Sequence, residues 1–202
     1  MKNEEMEKLA QAVLERITVP LEASARHVHL TQAQAQALFG HDLTQERELS
    51  QPGQFLARER VRVEGPKGKL ENVAVLGPAR KAAQIEISLT DGRVLGITPP
   101  VRLSGDTKDS PGCTLTGERG SITVAEGVIA AKRHIHLHPS DARRLGVSDR
   151  QEVSLQTLTG RSVIFEAVSV RVSESFSTAA HLDFDEANAC GFAKGDRGRI
   201  LT

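Results

Sequence analysis

The chain has 202 residues, and Lys+Arg and Asp+Glu both number 26, so the formal net charge is +0. That balance excludes the basic stripe of a general nucleic-acid binder, and six Phe with no Trp or Tyr leave no aromatic platform for stacking bases. No run approaches the ~18 consecutive apolar residues that a spanning helix needs, and two cysteines, Cys113 and Cys190, are too few for a disulfide scaffold.

The length suits one domain or two small ones. A reducing cytosolic setting is expected, without a secretory leader, because residues 1–20 carry four glutamates and no apolar run. In chain order, the first element is a helix over residues 1–17. Met6, Leu9, Ala10, Val13, Leu14 and Ile17 fall at helical spacing between charged residues, and Pro20 bars continuation. Such a helix either docks on the body or a dimer seam, or serves as a tag that binds a partner's groove or sheet.

From residue 18 onward, short Val/Ile/Leu-rich runs alternate with Gly and Pro punctuation. RVRVEG, ENVAVLG, QIEISL, SITVAEGVIA, EVSLQT, SVIFEAVSVRV and GRILT read as strands. Two short internal helices stand out. One is capped by Thr31, runs through QAQAQALF and stops at Gly40; the other opens at Pro139 and runs SDARRL to Gly146. Helices are too few between strands for a parallel α/β sheet, so the expected fold is mostly β, in barrels or sandwiches.

A repeat dominates the sequence. Arg26-His27-Val28-His29-Leu30 matches Arg133-His134-Ile135-His136-Leu137 at an offset of 107. Further on, Glu86-Ile87-Ser88-Leu89-Thr90-Asp91 matches His181-Leu182-Asp183-Phe184-Asp185-Glu186 at an offset of 95. The second copy is shorter because the polar stretch ELSQPGQFLARE has no counterpart there. The chain therefore reads as two related halves.

Each half contributes a His-x-His pair and one later side chain. In a strand, residues i and i+2 share a face with Cα atoms roughly 7 Å apart, so two imidazoles can converge on one metal ion. Zn²⁺ accepts His nitrogen and Glu oxygen, and catalytic sites keep three protein ligands and an open position. The candidate ligand sets are His27, His29 and Glu86, and His134, His136 and His181; crossed sets between the halves fit the sequence equally well. A single His-x-His is a weak signal, since exposed strand histidines are common. Its duplication with the same flanking Arg and Leu is a much stronger one. His41 is expected in an exposed loop, His138 at a helix start, and both cysteines as small buried residues.

The halves differ at one functional-looking point. Arg80 and Lys81 precede Glu86, where the second half has Ser175 and Phe176. A structural duplication does not need this difference, whereas a site for one anion does, because a guanidinium fork matches phosphate geometry. The competing reading is an Arg/Lys pair solvated at a strand end.

VPLEASARHVHL, LSQPGQF, GPKGKLENVAVLGPARKAAQIEISLTD, SPG, EGVIAAKRHIHL and HLDFDEANACG, in this order over about residues 18–195, resemble the phosphate propanoyltransferase family (PduL type), the phosphotransacylases of bacterial microcompartments. The resemblance implies exchange of CoA for phosphate on short acyl groups, with two zinc ions per chain at the junction of two closed, pseudo-symmetric β-barrels. It puts His27, His29, Glu86, His134, His136 and His181 at zinc ligands and Arg80 at the phosphate-handling arginine. Ser24, Leu76 and Asn188 fall at positions lining the CoA site. It also implies an unusual domain split: residues 18–25 with 132–202 form one barrel and 26–131 the other. Residues 1–17 resemble the family's encapsulation extensions, with microcompartment shell or core proteins as partners, and a homodimer or larger assembly is expected. Two departures stand out. Ala74 occupies a position where Arg is frequent, so a contact to the nucleotide end of CoA is lost or replaced, and His138 stands where a capping Ser is usual.

No Ser-His-Asp or Cys-His set is evident, so direct attack by phosphate is expected in preference to an acyl-enzyme. Two rival readings use the same ligands: a di-zinc hydrolase acting on acyl-CoA or phosphoesters, and closed structural zinc clips with Asp183 or Asp185 as a fourth ligand. These aspartates are read instead as partners that orient an imidazole.

Overall fold

The computed structural model describes residues 2–201, so Met1 of the expected N-terminal helix and Thr202 of the last expected strand lie outside it. The elements in chain order are α1 (Lys2–Ile17), β1 (Val19–Ser24), β2 (His27–His29), α2 (Gln32–Phe39), β3 (Gln45–Glu48), β4 (Phe55–Glu64), β5 (Lys69–Gly77) and β6 (Gln84–Glu86). After these come α3 (Leu89–Leu95), β7 (Val101–Arg102), β8 (Cys113–Thr116), β9 (Ser121–Val124), β10 (Val128–Ala131) and β11 (His134–Leu137). The chain ends with α4 (Pro139–Leu145), β12 (Glu152–Leu158), β13 (Ile164–Val172), β14 (Ala179–Asp183), α5 (Phe184–Cys190) and β15 (Arg197–Leu201).

The fold is mostly β, and the chain divides into two compact units. One unit combines the segment up to Ala23 with Arg133–Leu182 and the segment from Glu186 onward. The other combines Ser24–Lys132 with Asp183–Asp185.

In the first unit, β1, β14, β11, β13, β12 and β15 close into a barrel in that order. Strand alternation explains its interior. Ile135 and Leu137 of β11, Ala180 and Leu182 of β14, and Val168 and Val170 of β13 form the core together with Val19, Leu21 and Leu155. His134 and His136 therefore point to the opposite face of β11. The second unit holds a curled sheet in the order β7-β10-β6-β2-β5-β4-β8-β9, with β3 on β4, and among the described residues it does not close as β1–β15 do. Val28, Val61, Val75, Ile85, Leu115 and Val128 fill its core beneath α2, whose Leu38 and Phe39 are buried. Val28 lies between His27 and His29, so both histidines face away from its side.

The two expected internal helices are present. Thr31 makes a capping box with Gln34 at the start of α2, and α2 ends at Gly40 with φ 80°. His138 caps α4 by accepting the Ser140 amide, with Pro139 in the first turn. Two further helices, α3 and α5, were not expected. α3 is fixed by a reciprocal cap between Ser88 and Asp91. Both helices are seven residues long, too short to display a helical period.

In α1 the side chains of Met6, Leu9, Val13, Leu14 and Ile17 are all exposed. Its last turn is tied down by the Arg144 guanidinium on the Arg16 carbonyl and by the Thr18 hydroxyl on the Leu14 carbonyl. Among the described residues no helix is long and apolar enough to cross a membrane.

Candidate active site

β2 and β6 run antiparallel, with His27 opposite Glu86 and His29 opposite Gln84. The register puts His27, His29 and Glu86 on one face, where one ligand atom from each lies within 4.8 Å of the others. All three residues are buried. The His27 Nδ1–H donates to the Ala25 carbonyl at 2.8 Å. That bond engages Nδ1 and leaves Nε2 facing Glu86 Oε1 at 3.6 Å. His29 Nδ1 is buried with no hydrogen-bond partner.

The electrostatics favour a cation here. Burial pulls the His29 pKa down to about 3, helped by the positive charges of His27 and Arg80, so the ring is neutral. Burial alone would raise the Glu86 pKa, but the His27 charge and hydrogen bond, the His29 charge and a hydrogen bond with Ser104 outweigh it. The carboxylate stays ionised well below its usual range. Burial lowers the His27 pKa, yet Glu86 more than compensates and the net shift is upward. A buried carboxylate beside two imidazoles, one with an orphaned nitrogen, fits the donor set of a zinc ion.

The second cluster lies in the closed barrel. His134 faces His181 across the antiparallel pair β11–β14. Ring centroids are 4.6 Å apart for His134 and His136, 4.9 Å for His134 and His181, and 4.8 Å for His136 and His181. Their ligand atoms also lie within 4.8 Å of one another. Both nitrogens of His136 are buried without a hydrogen-bond partner. Burial, followed by the charges of His134 and Arg171, holds its pKa near 3. Glu22 Oε2 stands 3.6 Å from His181 Nδ1 and orients that ring. A neutral imidazole with two unsatisfied nitrogens pays a desolvation penalty that a metal bond relieves. Neither triplet includes Asp183 or Asp185.

Arg80 follows β5. Its backbone N–H donates to the Leu30 carbonyl at 2.8 Å, and its Nη1 donates to Ser104 Oγ at 3.2 Å. Its charge reaches both His27 and His29. Ser24 lines a small pocket with Ala25, His27, Glu86, Ile87, Ala131 and Asp183. Leu76 is on β5 opposite Leu56 of β4, and its carbonyl bonds to His29. Ala74 lies beside His27 on β5 and opposite Arg60 on β4. Asn188 is exposed on α5 in the other unit.

Among the described residues, none is set up as a protein nucleophile. Burial pushes the Cys113 thiol up to about 12 and also raises that of Cys190, so neither offers a thiolate near neutral pH. Ser140, His138 and Glu174 do line up, at 2.7 and 2.9 Å. His138 is engaged as a helix cap, however, and the Glu174 side chain is 82% exposed, so the base lacks the desolvated setting that activates a serine.

Sequence reasoning missed two residues that the geometry ties to the first triplet, Gln84 and Ser104. Gln84 donates to Glu86 Oε1, and also to Ser104 Oγ at 2.8 Å. The alternation of QIEIS offers a signal for Gln84, because it shares a face with Glu86.

A family model described as phosphate propanoyltransferase matches residues 20–193. A phosphate propanoyltransferase of Enterococcus faecalis is 48% identical over 208 residues, covering 99% of each chain. One from Listeria monocytogenes is 48% identical, covering 97% of this chain and 93% of its own. Another, from Thermotoga maritima, is 49% identical over 86% of this chain and 84% of its own. The chain is thus an enzyme of the phosphate acyltransferase class. Within that class it belongs to the phosphate propanoyltransferase family.

Proposed function

We propose that this chain interconverts a short-chain acyl-CoA plus phosphate with the acyl phosphate plus CoA, using one zinc ion at each triplet. Propanoyl-CoA is the expected thioester, with acetyl-CoA, one methylene shorter, as the competing substrate. The observation that carries this reading is the pair of ligand triplets, each with a buried imidazole nitrogen that has no hydrogen-bond partner, one triplet lying beside the positioned Arg80 guanidinium.

His27, His29 and Glu86 would hold one ion, and His134, His136 and His181 the other. Zinc bound there supplies Lewis-acid polarisation of carbonyl and phosphoryl oxygens. Arg80 grips phosphate oxygens and offsets one of the dianion's two charges, leaving one oxygen to attack the thioester carbonyl carbon. A C–O bond forms, and the C–S bond breaks with its electron pair leaving on sulfur. The proton of hydrogen phosphate ends on the thiol, so atoms and charge balance. Ser24, Leu76 and Asn188 are assigned to CoA.

The exposed apolar face of α1 supports a role for residues 1–17 in a microcompartment or a homodimer. Deleting 1–17 should leave turnover intact while changing assembly or localisation.

The test of the reaction follows thiol release from propanoyl-CoA with and without phosphate. Release should need phosphate and yield a hydroxylamine-reactive acyl phosphate. Equal release without phosphate, giving the free acid, would make the enzyme a hydrolase instead.

A further inference from the structure

Gln84 is 3% exposed, on the same strand as Glu86 and directly opposite His29. A buried amide is costly unless every polar atom is bonded, and in Gln84 each one is. One N–H of Nε2 goes to Glu86 Oε1 and another to Ser104 Oγ at 2.8 Å, while Oε1 accepts the Gly105 amide at 2.7 Å. These partners settle the orientation of the amide, because a flipped one would set its oxygen against the carboxylate. Ser104 in turn accepts Arg80 Nη1 at 3.2 Å and hydrogen-bonds to Glu86. Gly105 has φ 98°, a left-handed backbone that favours glycine, and this conformation aims its N–H at Gln84. One continuous network therefore joins the candidate metal carboxylate to the candidate phosphate guanidinium.

The other half shows that the barrel architecture does not require this network. The strand position opposite His136, equivalent to Gln84 opposite His29, is Ala179. That half also has Ser175 where the first has Arg80. The half with Ser175 in place of Arg80 also lacks the buried amide.

We infer that Gln84 and Ser104 are positioning residues for the transfer reaction: Gln84 orients Glu86 toward the metal, and Ser104 couples that carboxylate to Arg80 so that ion and guanidinium meet the same phosphate. The inference rests on the proposed function for the identity of the ligands. Neither residue contacts the reacting atoms. The coupling assigned to Ser104 predicts a selective effect on phosphate, leaving the thioester site alone.

The experiment uses the full chain carrying Ser104→Ala, Ser104→Thr, Gln84→Ala or Gln84→Glu, with three readouts. Steady-state kinetics should show the KM for phosphate rising about tenfold or more in Ser104→Ala, the expected loss of a hydrogen bond to a charged group. The KM for propanoyl-CoA should stay within twofold, and Ser104→Thr, which keeps the hydroxyl, should recover most of the loss. Competition titration of metal-stripped protein with Zn²⁺ should show one of two sites weakened about 10–100-fold in Gln84→Ala. Gln84→Glu should weaken it too, by setting a second carboxylate against Glu86. Thermal unfolding checks that each variant folds. Unchanged phosphate KM in a folded Ser104→Ala, together with unchanged zinc affinity in Gln84→Ala, overturns the inference. The zinc titration reads out even if wild-type protein shows no phosphate-dependent transfer, so failure of the proposed reaction is told apart from failure of the network.

Discussion

Glu86 stands opposite His27 across one antiparallel strand pair in the register in which His181 stands opposite His134 across another. The chain has thus duplicated a geometric device as well as a motif: a His-x-His strand whose first imidazole faces a third candidate ligand. The salt bridges flanking the motif are duplicated with it. Arg26 reaches Asp91 at 3.2 Å, and Arg133 reaches Glu186 at 2.8 Å.

The device is not used identically in the two halves, and Arg80 marks the difference. Replacing Arg80 by Ala should lower turnover roughly 10²–10³-fold if the guanidinium stabilises charge in the transition state. Zinc content should stay at the wild-type level, which elemental analysis of the same preparation checks. Zinc loss in that variant would show that Arg80 is part of the structure of the metal site.

In the second half the space beside the triplet is aromatic. The Phe176 ring stacks on His136 at 4.1 Å, with the Arg171 Cζ 5.6 Å from the centre of that ring. This packing holds the imidazole and keeps water from its buried nitrogens. Phe176→Ala should weaken one zinc site about 10–100-fold and leave the other unchanged, with Phe176→Leu intermediate. Zinc titration of metal-stripped variants reads both sites at once.

The α4 end of the barrel should respond to acid. Burial would raise the Asp141 pKa, but hydrogen bonds from Thr178 and Arg144 and the Arg144 charge bring it below its ordinary value of 3.8. A depressed carboxylate pKa stabilises the fold above the unfolded-state value, and that contribution is lost as pH falls through the folded-state value. Between pH 5 and pH 3, Asp141→Asn should therefore show a shallower loss of melting temperature than wild type. Parallel melting curves would contradict the assignment.

The fold class was legible because short Val/Ile/Leu-rich runs between Gly and Pro turns mark strands: RVRVEG and ENVAVLG, for example, fall on β4 and β5. The repeat made the same six side chains visible as candidates before any geometry. Helices α3 and α5 were not legible. In α3, LTDGRVL contains a TDG that imitates a turn, and Gly92 is there for packing. A Cβ at Gly92 would sit 2.7 Å from Pro99 Cδ and 2.8 Å from the Ile97 carbonyl oxygen. The Ser88–Asp91 cap was the available signal. The Gln84–Ser104 link was out of reach for another reason. The residues are 20 positions apart, and a polar residue alternating along a strand usually signals exposure to solvent.

The proposed function makes transfer depend on metal held at both triplets. Its most direct test strips the purified full chain with a chelator, then restores zinc while metal content and phosphate-dependent thiol release from propanoyl-CoA are measured together. Activity should disappear on stripping and return as zinc approaches two per chain. Full activity in protein shown to be free of transition metal would contradict it.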